Sequence, residues 1–190
     1  VTDNSFDIGI AFDGDGDRIG VIDDRGRVVP GDILLLVFAK DLLKKNKNCS
    51  IIGDVKCSKV LFDYIKENGG KSIMAKTGHS HIKERMRKSN AKLAGEMSGH
   101  IFFADNYYGF DDALYASIRL INQLSETKLR LSEIIDEFPK LYNTPEIRLD
   151  CDDKEKFKII NKVIDNHKNK KYSDIDLSLI HISEPTRQLA

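Results

Sequence analysis

Residues 50–88 read SIIGDVKCSKVLFDYIKENGGKSIMAKTGHSHIKERMRK, and this stretch decides the fold. A short apolar run at 50–55 leads into a helical segment at 59–67 closed by Gly69 and Gly70. A second run at 72–75 leads into a second helical segment at 79–88. Strands alternating with helices are the pattern of a sheet covered by helices, because each element must bury one face against the other. The expected fold class is therefore α/β, a mixed sheet flanked by helices. On the amino-terminal side, residues 32–45 are apolar nearly all round at first and end in lysines, as a mostly buried helix with positive charge at its carboxyl end would. Further upstream, Ile8, Ile10 and Phe12 alternate with smaller residues up to an acidic glycine loop, a second strand follows at 19–22, and 23–26 reads as a turn. On the carboxyl side, Leu93 and Ala94 lead into a glycine-containing loop and a strand at 101–104. A long amphipathic helix is predicted at 111–124, and a shorter one at 131–138 is stopped by Pro139.

After Pro145 the composition shifts. Residues 146–149 read as a strand and 154–164 as a helix with Phe157, Ile160, Val163 and Ile164 on one side. One strand and one helix remove too little apolar area from water to offset chain entropy, so this piece is expected to open a further, incomplete domain. Residues 177–190 have no helical stripe and carry a proline; they are expected to be a non-native or disordered tail.

The 190 residues carry 30 basic and 30 acidic side chains, with 41% apolar and 8% aromatic residues, a soluble globular composition sufficient for one domain with pieces of others. Zero net charge excludes broad electrostatic binding to nucleic acid or to an anionic membrane. The longest apolar run, 33–39, is far below the roughly 20 residues of a membrane span, and no charged-then-apolar leader opens the chain. Cys49, Cys57 and Cys151 show no C-x-x-C spacing, so neither a disulfide framework nor a zinc site is expected. A reducing cytoplasm is the expected compartment.

The strongest chemical signal is Asp13-Gly14-Asp15-Gly16-Asp17-Arg18. Three carboxylates at alternate positions repel one another unless a cation is shared, and the glycines let the backbone fold tightly enough to aim them at one centre. All-oxygen ligation suits a hard ion, Mg²⁺ first, with Mn²⁺ or Ca²⁺ behind. A solvated acidic turn is the plain alternative. An EF-hand fails, because its glycine position would be Arg18 and its closing glutamate Asp24. A phosphatase using a strand-end Asp-x-Asp is weakened by Asp17, where that family has a small hydroxyl or aliphatic residue.

The second signal is Gly95-Glu96-Met97-Ser98-Gly99-His100. Glu96 and Ser98, two apart, would point the same way and bond neighbouring hydroxyls of one sugar, while His100 would move a proton near neutral pH. A hairpin loop with incidental polar residues is the alternative. Lys76-Thr77-Gly78-His79-Ser80 lies at a strand-to-helix junction suited to phosphate, with a helix cap by Ser80 or Thr77 as the plainer reading. In Asp54-Val55-Lys56-Cys57-Ser58, Lys56 would hold a phosphate oxygen or simply face solvent. Three of these four loops follow a predicted strand, and ligands of open α/β sheets gather at the carboxyl ends of strands. The combined inventory fits phosphoryl transfer on a sugar phosphate, where positioning and charge neutralisation supply most of the catalysis.

Over residues 1–176 these motifs resemble the α-D-phosphohexomutases, and within them the bacterial phosphomannomutase/phosphoglucomutase branch. The acidic loop looks like the metal loop of that family's second domain, and Gly95 to His100 like the sugar loop of its third. The resemblance implies that Asp13, Asp15 and Asp17 bind Mg²⁺, and that Arg18 supports the reacting phosphoserine or phosphosugar. It implies that Lys56 and His79 contact the substrate, that Glu96 and Ser98 hold the sugar O3 and O4 hydroxyls, and that His100 assists proton transfer. Related glucosamine mutases carry glutamine where Met97 stands and glucose-specific enzymes a second glutamate, which favours the mannose/glucose branch. The implied partners are hexose phosphates, with no nucleic acid and no membrane. The implied layout is the end of the second domain at 1–27, the third domain at 28–142 and the start of the fourth at 143–176.

The chain also departs from the family pattern. It contains neither the Thr-Ala-Ser-His-Asn-Pro phosphoserine segment nor the late Arg-x-Ser-[Asn/Gly]-Thr-x-Pro phosphate loop, of which Ser183 to Thr186 is a superficial echo. It is therefore expected to be the middle of a mutase, inactive alone. The rivals are a non-catalytic sugar-phosphate- or metal-binding remnant and an aspartate-nucleophile phosphatase.

Overall fold

The computed structural model describes residues 1–140, 150–152, 155–167 and 175–176. The chain divides into two compact units, Val1–Leu141 and Tyr142–Ala190. The first begins with an antiparallel sheet of β1 (Gly9–Phe12), β2 (Ile19–Ile22) and β3 (Val28–Val29), in that order. Phe12 pairs with Ile19, so the acidic loop is the connection of the β1–β2 hairpin. Helix α1 (Gly31–Lys45) follows, then β4 (Ser50–Asp54), α2 (Lys59–Glu67), β5 (Lys71–Ala75), α3 (His79–Ser89), β6 (Leu93–Gly95), β7 (Ile101–Phe103), α4 (Ala113–Glu126) and α5 (Leu131–Asp136). In the second unit the described helix is α6 (Lys156–His167).

The main sheet has the order β5-β4-β6-β7. Strand β4 is parallel to both neighbours and β7 is antiparallel to β6, so the sheet is mixed, as expected. The period-two alternation of strands sorts its side chains between two cores. Ile51, Leu93, Ile101 and Phe103 face the core shared with α1, α2 and α4, whereas Ile52, Ala94 and Phe102 face Ile82 and Met86 of α3. The crossover through α2 carries the chain from β4 to β5, and the crossover through α3 carries it back past β4 to β6. Right-handed connections in opposite directions put their helices on opposite faces, which is where α2 and α3 lie. That reversal opens a crevice at the carboxyl ends of β4 and β6, the place where doubly wound sheets bind ligands.

Helix α1 buries Leu34, Leu35, Leu36, Val37 and Ala39 at 1% exposure or less, because it packs against α2, β6 and α5 at once. This all-round burial is the one its apolar run predicts. At the far edge, Arg119 of α4 forms a two-pronged ion pair with Asp105 (2.9 and 2.8 Å) and lies over the Phe103 ring. Burial pushes the Asp105 carboxyl up, but the guanidinium outweighs it and leaves the group below the usual carboxylate range.

Besides shifts of one to three residues at element ends, such as α6 at Lys156–His167 against 154–164, three differences from the periodicity reading have a local cause. Strand β3 was not anticipated, since two residues are too few to show a period. Helix α4 starts at Ala113 rather than 111, because Asp112 is its N-cap and accepts the Tyr115 N–H at 2.8 Å. Asp111 instead pairs with Phe102 beside the sheet. Helix α5 ends at Asp136, although Phe138 beyond it is still buried. The strand expected at 146–149 and the tail at 177–190 lie outside the described residues.

Gly99 approaches β2 so closely that a Cβ would lie 2.6 Å from the Ile19 carbonyl oxygen, and its φ is +99°. Gly99→Ala is therefore expected to cost about 1–3 kcal/mol in urea denaturation; an unchanged midpoint would contradict this contact. For Asp105→Asn, the expected loss is about 2 kcal/mol at pH 7. A carboxyl held below its unfolded value adds stability above that value and loses it as pH falls through the folded one, so the gap between wild type and variant should narrow as pH falls below about 4. A gap that persists in acid would count against the ion pair.

Candidate active site

The loops at the crevice are joined by Asp54, which ends β4 and is 1% exposed. A carboxylate removed from water needs donors, and three segments supply them. Its oxygens accept from Cys57 Sγ (3.0 Å), the Thr77 hydroxyl (3.1 Å) and the Met97 N–H (3.4 Å). The β4–α2, β5–α3 and β6–β7 loops are thereby drawn to one point. Asp32 in the first turn of α1, also buried, accepts the Ser58 N–H at 3.0 Å and fixes the first loop from below. A Cβ on neighbouring Gly31 would lie 2.6 Å from the carbonyl oxygens of both Glu96 and Met97, so α1 also backs the third loop.

Glu96 and Ser98 do point the same way: the Ser98 hydroxyl donates to Glu96 Oε2 at 3.3 Å. Glu96 Oε1 accepts the Gly78 N–H, which ties the sugar-type loop to the start of α3. Gly78 is the N-cap of α3 and no side chain caps it; Thr77 turns to Asp54 instead, so the capping alternative falls. Ser98 is exposed while Glu96 is 2% exposed, so the pair presents a hydroxyl at the surface with a carboxylate beneath it.

The acidic hairpin joins this loop through the backbone. The Ile19 N–H donates to the Gly99 carbonyl at 3.1 Å, Arg18 pairs with His100, and the Ala113 N–H donates to Gly16 at 3.1 Å. One ligand atom from each of Asp13, Asp15 and Asp17 lies within 4.8 Å of the others. Both Asp13 oxygens accept from Arg18, one from Nε and one from the backbone N–H, and the guanidinium holds this carboxyl well below the usual range. Asp17 is pushed up, first by burial and then by Asp15, Asp13 and Asp111, against the pull of His100. Crowded carboxylates of this kind, all oxygen donors, fit a hard divalent cation.

His100 lies where these groups meet. Its Nδ1 is 3.2 Å from Asp111 Oδ2 and 3.7 Å from Asp17 Oδ2, and its Nε2 is 3.9 Å from Glu96 Oε2. The ring stacks on His79 at 6.1 Å between centroids, and His79 Nδ1 is itself 3.8 Å from Asp111. The candidate residues Asp13, Asp15, Asp17, Arg18, His79, Glu96, Ser98 and His100 are thus brought together. Lys56 lies in the β4–α2 loop, which Cys57 ties to Asp54, and is exposed. Asp54, Asp111 and Lys83, which bonds Asp111 at 2.9 Å, were missed as site residues. The available signal for Asp111 was the doubled aspartate at 111–112, of which a helix start needs only one.

The crevice is marked by converging polar groups rather than by depth. A cavity of about 730 Å³ lies elsewhere, between β1 and the α4–α5 connection, among Ile8, Ile10, Ile121, Leu124 and Leu129. No helix among the described residues is long and apolar enough to cross a membrane.

Comparison with known proteins identifies the family and the fold. A family model described as phosphoglucomutase/phosphomannomutase, alpha/beta/alpha domain III, matches residues 30–142. The chain is 46% identical over 180 residues to a phosphomannomutase/phosphoglucomutase of Pseudomonas syringae pv. tomato, covering 95% of this chain and 38% of that protein. It is 48% identical over 143 residues to a phosphoglucomutase of Neisseria gonorrhoeae, covering 75% of this chain and 31% of that protein. A crystal structure of a phosphoglucomutase/phosphomannomutase family protein from Burkholderia thailandensis superposes with a TM-score of 0.82 at 41% identity, over 91% of this chain and 37% of that one. The chain therefore spans about a third of the length of the relatives it matches. Carrying that family's domain III fold, with the acidic hairpin and the Glu96 to His100 loop held against each other, the chain belongs to the phosphoglucomutase/phosphomannomutase family.

Proposed function

We propose that this chain is the sugar- and metal-binding part of a mutase that interconverts the 1-phosphate and 6-phosphate of mannose and of glucose through a phosphoserine and a bisphosphorylated sugar. The observation that carries the reading is the backbone junction of Ile19 with Gly99, which joins the acidic hairpin to the loop of Glu96, Ser98 and His100. Asp13, Asp15 and Asp17 would hold Mg²⁺, which when bound neutralises charge on a phosphoryl group in transfer. Arg18 is held beside them by Asp13, with further N–H donors for a phosphate. That both Asp13 oxygens already accept from Arg18 speaks against an aspartate nucleophile.

Glu96 and Ser98 would clamp two neighbouring sugar hydroxyls, O3 and O4. The Ser98–Glu96 hydrogen bond, at 3.3 Å, is long enough for a sugar hydroxyl to replace it. Glucose and mannose differ only at C2, so this clamp accepts both, and it works again after the sugar makes a half-turn. His100, whose Nε2 faces Glu96, would move the proton of the sugar hydroxyl that gains or loses phosphate, with His79 and Lys56 against the phosphate. We assign 1–27 to the end of the metal-binding domain, 28–142 to the sugar-binding domain and 143–176 to the start of the next. The site is proposed to act in the cytoplasm on soluble hexose phosphates, with the phosphoserine supplied from outside these 190 residues.

The test is turnover of mannose 1-phosphate to mannose 6-phosphate with Mg²⁺. The chain alone should give none. A chimera carrying it in place of the matching segment of the Pseudomonas syringae relative should be active, and an inactive but folded chimera would overturn the reading. In the same chimera Asp15→Ala should abolish Mg²⁺-dependent turnover. The chain itself should bind Mn²⁺ by electron paramagnetic resonance and lose that binding with Asp15→Ala; retained binding would place the metal elsewhere.

A further inference from the structure

His100 carries the proton step of the proposed function, yet nothing in that reading says how its ring is held or which nitrogen bears hydrogen. We propose that Asp111 is the positioning residue of His100: its Oδ2 takes the Nδ1 side of the imidazole and thereby turns an unprotonated Nε2 toward the Glu96–Ser98 clamp.

Four observations carry this. First, His100 Nδ1 and Asp111 Oδ2 are 3.2 Å apart, and both are buried polar atoms with no hydrogen-bond partner, so each is the nearest group that could satisfy the other. Second, Asp111 is anchored on its far side. Its side chain is 7% exposed and Oδ1 accepts from Lys83 Nζ at 2.9 Å, which leaves Oδ2 for the ring. Third, the backbones of both residues are fixed. Asp111 pairs with Phe102 and His100 with Arg18, and Asp112 caps α4 one position later, so neither side chain swings from a mobile loop. Fourth, the opposite ring nitrogen looks into the clamp, 3.9 Å from Glu96 Oε2. Asp17 is the competing partner at 3.7 Å, but it belongs to the carboxylate cluster and its Oδ1 is 3.9 Å from Arg18.

A carboxylate on one ring nitrogen selects the tautomer with hydrogen on that side, leaving the other nitrogen as proton acceptor. His100 is then ready to take at Nε2 the proton of the O1 or O6 hydroxyl that receives phosphate on a sugar held by the clamp, while Asp111 stabilises the imidazolium that forms. The proton goes from the sugar oxygen to Nε2 and returns by the same path when the phosphate leaves, so Asp111 neither gains nor loses one. The sequence Lys83, Asp111, His100, clamp runs from α3 across the sheet edge to the site. The use of His100 in proton transfer rests on the proposed function; the tautomer does not.

The test is nitrogen-15 imidazole NMR of the full 190-residue chain, with His100 assigned by His100→Gln, at a pH high enough that its ring is neutral. The expected result is an Nδ1–H, Nε2-bare tautomer for His100. In Asp111→Asn the amide presents an N–H and selects the opposite tautomer, so the ratio should move about tenfold or more, the size expected for losing a hydrogen bond to a charged group. A wild-type ring with hydrogen on Nε2, or a ratio unmoved in a folded Asp111→Asn, overturns the proposal. If that variant does not fold, Asp111→Ala, which removes the acceptor and offers no N–H, is read instead; the Nδ1–H preference should be lost there too, and an unmoved ratio is equally fatal. No turnover enters this measurement. An inactive chimera would therefore sink the mutase reading and leave Asp111 standing, while an unmoved His100 signal would do the reverse.

Discussion

A carboxylate buried at the end of a central strand must be met by donors, and at Asp54 those donors come from three separate loops. Losing one partner of a buried polar group costs far more than an average hydrogen bond contributes, so each loop is held where its donor must be. The positions of Gly78, Glu96 and Ser98 follow from this one constraint. It acts at the right place because β4 has parallel neighbours on both sides, reached by crossovers in opposite directions, and the loops that leave β4 and β6 border the resulting crevice.

A second junction sets the chemistry. The β1–β2 hairpin is not packed loosely beside the sheet; it is bonded to the β6–β7 loop at Ile19 and Gly99, and only a residue without a Cβ fits there. The cluster of three mutually repelling carboxylates is thereby carried beside His100, with Asp17 3.7 Å from its Nδ1. The imidazole receives one acidic neighbour from the hairpin, one from its own loop and one from the segment before α4. The arrangement concentrates negative charge around a single ring and leaves two demands, a cation for the aspartates and a sharply defined orientation for the histidine.

Much of this was legible before any coordinates. The two strand-helix pairs at 50–88 and the buried α1 show in the periodicity because burial of each element leaves a local imprint on residue type. The acidic loop shows because its glycine spacing is local, and the Glu96–Ser98 pair because residues two apart in an extended segment share a side. Strand β3 did not show, since two residues have no period. The start of α4 was misplaced because a doubled aspartate offers two candidate caps, and propensity does not choose between them.

By itself, then, the sequence determined the α/β class, the order of most elements and the residue types of the proposed metal and sugar site, all properties of neighbours along the chain. Only the tertiary structure decided that Asp112 caps the helix while Asp111 turns to His100, and that Asp54 gathers donors from Thr77 and Met97, 23 and 43 residues away. The physical reason is that a buried charge takes its role from whichever donors the fold brings to it, and those donors are distant in sequence.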